Sequence, residues 1–287
     1  MTPAITRVGV VGAGQMGGGF AEVCAVHGLD VVVVVSGPAA VTRDHDRLAR
    51  SLDRAVAKQK LTAEAAAAAA ARVSFTADAD LLADRQLVLE AVPENESAKT
   101  EVFRTLDKVI ADPDAVLAST TSAIPIIRLA RAVIRPERVI GLHFFNPVPV
   151  LPLVEVIPSL LTDAATVDTA RTFVSERIGK QVVMSGDRSG FVVNALLVPY
   201  LLAAIRMVEY GFATVEDIDR GMTLGCAHPM GPLRLTDLIG LDTIAAVGEA
   251  LYDEYREPLF APPPLLSRMV DGGRLGRKTG RGFYDYD

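Results

Sequence analysis

The stretch "GLHFFNPVPVLPLVEV" places a histidine, His143, twelve residues ahead of a glutamate, Glu155. A histidine held by a carboxylate is a general acid–base pair. The imidazole exchanges a proton near neutral pH, and the carboxylate orients the ring and stabilises its charged form. Each residue lies in an apolar run that reads as a strand, and prolines between them force a turn. The expectation is that two strand ends of a parallel sheet bring the pair to its carboxyl edge, where such sheets bind ligands. Taken alone, the pair has a plainer reading: a satisfied core histidine and a solvated glutamate.

A second group of residues suits a phosphate rather than a proton. Gly12, Gly14 and Gly17 form G-x-G-x-x-G, with Gln15 and Met16 inside it. The motif follows one predicted strand and opens one predicted helix, the context a dinucleotide loop requires. The helix N-terminus there offers unpaired N–H groups to a pyrophosphate. A strand at 31–35 follows, and an acid is expected at its end to hold the ribose diol. The residue there is Val35, in "DVVVVVSGPAAV". Valine cannot accept a hydrogen bond, but it also removes a charge that would repel a 2′-phosphate. Ser36 can bond either cofactor, and the nearest cation is Arg43. NAD, NADP and no dinucleotide at all stay open on these residues.

The elements that must position these groups alternate. "ITRVGVVG", "VVVVV", "QLVLEAV", "AVLAST", "RVIGLHF", "VEVI" and "KQVVMS" read as strands, separated by helical stretches. Unbroken apolar strands in a β–α alternation imply an α/β, Rossmann-type, doubly wound and mostly parallel sheet covered on both faces. After "SGDRSGF" the periodicity is helical. The expected division is therefore a dinucleotide-binding domain over 1–187 and an all-helical domain over 188–287. "TAEAAAAAAAR" reads as a helix on alanine propensity, and "APPPLL" (261–266) as a loop.

The composition narrows the classes. The chain has 287 residues, is 50% hydrophobic and carries a net charge of −6. That charge argues against nucleic acid and anionic membranes as partners. The longest apolar run, "FVVNALLVPYLLAAI", holds Asn194 and Pro199 and is too short to span a bilayer. Cys24 and Cys226 have no metal-ligand spacing and read as buried, reduced core residues, so no metal is expected. The N-terminus runs straight into a strand with no signal peptide, and the protein reads as soluble and cytoplasmic.

Six segments together carry a family resemblance: "VGAGQMGGGFA", "EAVPE", "GLHFFNPVPVLPLVEV", "DRSGFVVNALLVPYL", "HPMGPLRLTDLIGLD" and "GRLGRKTGRGFYDY". In order, and over essentially the whole chain, they resemble the short-chain L-3-hydroxyacyl-CoA dehydrogenases of the bacterial 3-hydroxybutyryl-CoA type. The resemblance implies reversible oxidation of a short (S)-3-hydroxyacyl-CoA by hydride transfer to NAD or NADP. It implies that His143 is the acid–base histidine and Glu155 its partner. Ser122 then bonds the substrate's 3-oxygen, and Asn194 is the active-site asparagine. Glu94 and Lys99 lie near the nicotinamide, Ser51 and Lys58 contact CoA, and Asn146 is a further substrate contact. Lys60 adds to Lys58 a local positive patch for CoA phosphates. A homodimer through the helical domain completes the pattern.

The sequence departs from that pattern at four positions. Val35 replaces the ribose acid, Thr120 the usual asparagine, Ala123 a second serine, and Ala195 a frequent arginine. These departures motivate two rival readings: a related enzyme acting on a carrier-protein thioester, and a non-catalytic paralogue that kept the fold.

Overall fold

The computed structural model describes residues 5–286. The chain divides into two compact units, residues 1–187 and 188–287. Among the described residues the first holds eight strands: β1 (Arg7–Val11), β2 (Asp30–Val34), β3 (Val73–Thr76), β4 (Leu87–Glu90), β5 (Val116–Ser119), β6 (Val139–Phe144), β7 (Leu153–Pro158) and β8 (Gln181–Met184). They form one sheet in the order β3-β2-β1-β4-β5-β6-β7-β8. The chain builds outward from β1 in one direction and from β4 in the other. The crevice beyond the carboxyl ends of β1 and β4 is thus the point where ligands bind in open α/β sheets.

Six helices cover the sheet: α1 (Gln15–Val26), α2 (Pro38–Ala57), α3 (Ala63–Ala70), α4 (Glu96–Val109), α5 (Ile126–Ala130) and α6 (Ala164–Thr172). The inner strands, β1, β2 and β4 to β7, are largely buried on both faces, which is why they read as apolar runs rather than alternating ones, whereas the edge strands β3 and β8 are partly exposed. Phe20 of α1 is fully buried between Phe144 and Phe173, with ring centroids 5.2 and 6.2 Å away. That cluster fixes α1, and hence the loop before it, against the end of β6.

The helical unit contains α7 (Val193–Glu209), α8 (Val215–Gly225), α9 (Pro232–Ile239), α10 (Leu241–Tyr255) and α11 (Pro264–Asp271). Two buried carboxylates knit it together. Asp237 accepts from the backbone N–H of Phe283 and Tyr284 and from the Tyr286 hydroxyl. Asp219 accepts from the N–H of Leu233 and Arg234 and from the Tyr284 hydroxyl. Burial and the bond to Asp237 push the Tyr286 hydroxyl up to about 12. No helix among the described residues is long and apolar enough to cross a membrane.

The structure corrects four sequence expectations. The pairing of β6 with β7 is antiparallel, while every other neighbour in the sheet is parallel. A strand absent from the sequence reading, β3, forms the sheet edge beside β2. Cys226 is exposed, at the end of α8, whereas Cys24 is buried as expected. The "APPPLL" stretch is a loop only as far as Pro263, because Pro264 opens α11, a position where proline's missing N–H costs nothing.

Candidate active site

His143 and Glu155 face each other directly across the antiparallel β6–β7 pair. Side chains of opposed residues lie on the same face of such a pair, within reach of one another. The imidazole Nδ1–H donates to Glu155 Oε2 at 2.6 Å. Because an ionised carboxylate can only accept, this contact fixes the tautomer and leaves proton exchange to Nε2. Glu155 is 0% exposed and His143 6%. Phe145 packs its ring against the imidazole, centroids 4.7 Å apart. The residues were expected from the sequence; the geometry that joins them, a hairpin rather than two parallel strand ends, was not.

Two strands along the sheet from β6 lies a charged cluster that the sequence reading only half anticipated. Lys99, on the first turn of α4, is buried, and its Nζ donates to both carboxylate oxygens of Glu90 at 2.9 and 3.0 Å and to Val92 O at 3.1 Å. Glu90, at the end of β4 and fully buried, also accepts from Ser119 Oγ at 2.6 Å and Val92 N at 2.7 Å. Glu94 lies 3.4 Å from the same ammonium. Its Oε1 accepts from the Thr121 hydroxyl and from the N–H groups of Ser122 (3.0 Å) and Ala123 (3.2 Å). Glu94 therefore holds the loop that carries Ser122. Glu90 was missed, although a carboxylate inside an all-apolar strand signals a buried partner.

The glycine loop has the shape of a nucleotide cradle. Gly12 sits at φ +96°, and a Cβ there would meet Ala91 O at 2.7 Å. A Cβ on Gly17 would overlap Gly12 O, so only glycine lets α1 start this close to the loop. Gly14 faces open space and leaves the start of α1 without a side-chain cap. Its first N–H groups are thus available to an anion. A cleft of about 800 Å³ opens over the loop, lined by Gly12–Met16, Val34, Val35, Ser36, Arg43, Asp44, Arg47 and Ala91–Pro93. The residues present fit a dinucleotide.

A second cleft, of about 580 Å³, runs between α1, α2 and the β6–β7 connection. Ser51, Lys58 and Lys60 line it together, joined by Arg54 and Lys180, which the sequence reading did not single out. Glu22 lines it too; burial pushes its carboxyl up, against a hydrogen bond with Ser51 and the charge of Arg54. Burial likewise draws Lys180 down, its Nζ donating to Leu151 O at 2.7 Å. Asn146, exposed, lines an adjoining cleft with Ser51, Arg54 and Gly14. Asn194 lies on the first turn of α7 in the helical unit. Among the described residues no group of three or more metal-ligating side chains occurs.

Comparison with known proteins agrees with this arrangement. The family model described as 3-hydroxyacyl-CoA dehydrogenase, NAD binding domain, matches residues 7–188, and that of the C-terminal domain matches residues 190–286. The chain belongs to the 3-hydroxyacyl-CoA dehydrogenase family. The 3-hydroxybutyryl-CoA dehydrogenase of Mycobacterium tuberculosis is 57% identical over 286 residues, covering 100% of both chains. The crystal structure of M. tuberculosis FadB2 superposes with a TM-score of 0.98 at 57% identity, covering 99% of this chain and 100% of that one. The crystal structure of (S)-3-hydroxybutyryl-CoA dehydrogenase from Ralstonia eutropha gives a TM-score of 0.95 at 44% identity, with the same coverage.

Within this 3-hydroxyacyl-CoA dehydrogenase the four departures noted in the sequence have distinct surroundings. Val35 is buried at the wall of the nucleotide cleft. The Thr120 hydroxyl is buried with no hydrogen-bond partner, so the position is polar but shorter than an asparagine. Ala123 still gives its N–H to Glu94, which shows that the loop's anchor does not need a serine side chain there. Ala195 gives its N–H to Gly190 O at the start of α7.

Proposed function

We propose that this dehydrogenase interconverts short-chain (S)-3-hydroxyacyl-CoA and 3-oxoacyl-CoA, with 3-hydroxybutyryl-CoA as the C4 case. The carrier is NAD(H) or NADP(H), the choice resting on the ribose 2′ position beside Val35. The observation that carries the reading is the buried His143–Glu155 pair at 2.6 Å, within a family of this activity. A bound nicotinamide supplies the hydride acceptor or donor. In oxidation the substrate hydroxyl proton passes to His143 Nε2 as the C3 hydride leaves and the carbonyl forms. Glu155 stabilises the resulting imidazolium, and in reduction the same proton returns to the oxygen. The Ser122 hydroxyl, on the loop held by Glu94, is our candidate to bond the 3-oxygen, and Asn194 keeps the role of active-site asparagine that the family resemblance implies. Lys58, Lys60 and Arg54 supply positive charge for the phosphates of CoA.

The test is reduction of acetoacetyl-CoA followed at the nicotinamide absorbance, with acetoacetyl-acyl-carrier protein in parallel. Turnover of the CoA thioester with NADH or NADPH is the expected result. Turnover of the carrier-bound thioester alone transfers the assignment to that substrate class, and no turnover with either removes it.

The helical unit exposes Leu196, Tyr210, Phe212 and Leu224, between 73% and 77% accessible. Large exposed apolar side chains support a homodimer through this unit. Sedimentation equilibrium is expected to return twice the chain mass; a single-chain mass at micromolar concentration would refute the dimer.

A further inference from the structure

At the adenosine end of the nucleotide cleft, the side chains suit a ligand with one more phosphate than NAD carries. We propose that Arg43, with Ser36, binds the 2′-phosphate of NADP(H), an inference that rests on reading this cleft as the dinucleotide site. Three observations carry it. First, the end of β2 presents Val35 and the exposed hydroxyl of Ser36 where a diol-binding carboxylate would stand. Nothing there favours a bare ribose or repels a dianion.

Second, the charges lining the cleft sum to a positive site. Arg43 and Arg47 are its cations, and Asp44 is the one carboxylate among the lining residues. Asp44 is not available as a substitute ribose acid. It is 3% exposed and already takes Arg43 Nε and Nη2, each at 3.0 Å, and Arg47 Nη1 at 3.2 Å. Its charge is spent on two guanidinium groups, and one net positive charge remains.

Third, the geometry preorganises the cation. Asp44 grips Arg43 by one edge of its planar fork, which leaves the Nη1 edge without a partner among the described residues, on a side chain 62% exposed. Holding the side chain in place removes much of the rotamer entropy that a mobile arginine would lose on binding. Arg47 buttresses the arrangement, giving Nη1 to Ala13 O of the glycine loop at 2.6 Å. The phosphate loop and the 2′ site are thereby tied through Arg47 and Asp44. A guanidinium edge and a hydroxyl match a phosphate monoester, whose recognition by charge-assisted bonds is strong and geometrically specific.

The test uses two nucleotides that differ only in the 2′-phosphate, adenosine 2′,5′-bisphosphate and 5′-AMP, titrated calorimetrically into the whole protein. The bisphosphate is expected to bind at least about tenfold tighter at low salt, with the preference shrinking as ionic strength rises. In Arg43→Ala the ratio of the two affinities falls toward one; in Val35→Glu it inverts. A ratio near one in the unaltered protein, or a preference that survives Arg43→Ala, overturns the proposal while leaving the dinucleotide site standing. Failure of both nucleotides to bind overturns the reading of the cleft itself and the proposal with it.

Discussion

Replacing His143 by glutamine is expected to lower kcat for acetoacetyl-CoA reduction by about 10²- to 10⁴-fold, the usual contribution of a positioned general acid. That is about 3–5 kcal/mol of barrier. Glutamine keeps the polarity and much of the volume of the buried site between β6 and β7, so the fold is retained. The amide cannot give a proton to the alkoxide that forms as hydride arrives. Nucleotide affinity, read by quenching of the bound cofactor, stays within about twofold, because the glycine loop follows β1 and Arg43 lies on α2, away from the β6–β7 pair, and both act through separate contacts. Glu155→Gln is the companion. It retains an acceptor for Nδ1 but loses the charge that stabilises the imidazolium, and a charge-assisted bond of that kind accounts for about ten- to a hundredfold. Turnover of the His143→Gln variant within tenfold of the parent would remove the histidine from the chemistry.

That these two residues form a pair was legible in the sequence, and the geometry that joins them was not. Residue types and the turn-forming prolines marked His143 and Glu155, but an apolar strand carries no label for direction. One signal was present. The loop between β6 and β7 spans residues 145–152, too short for the crossover of a dozen or more residues that parallel neighbours need. Counting that loop yields the antiparallel pairing, and with it the direct opposition of the two residues. Strand β3 escaped for the opposite reason: four residues after a long alanine run offer no period to detect. The backbone of the glycine loop was legible at Gly12 and Gly17, whose close approaches are what such a local pattern encodes. The Arg43–Asp44–Arg47 cluster was not, because which face of α2 looks into the cleft depends on how that helix packs. Cys226 shows the converse error, since a cysteine's tendency to be buried says nothing about a particular helix end.

Lys99→Met is expected to destabilise the protein by about 3–5 kcal/mol, the range for breaking a buried ion pair from one side. The nearly isosteric methionine fills the lysine's path under α4 but leaves the Glu90 carboxylate charged and fully buried, with only Ser119 and Val92 to solvate it. Combining it with Glu90→Gln removes that stranded charge, so the double variant recovers about half or more of the loss in urea unfolding. A cavity or a packing defect at position 99 would not respond to a change at Glu90, and additive losses would therefore exclude the ion pair as the cause. The same variants separate stability from positioning. Lys99 lies 3.4 Å from Glu94, and Glu94 holds the N–H groups of Ser122 and Ala123. If the ammonium holds Glu94 against that loop, the double variant regains its stability yet keeps a raised KM for acetoacetyl-CoA, because the Glu90→Gln change restores neutrality but not the cation under Glu94. A double variant restored in both stability and KM would assign the cluster to the fold alone.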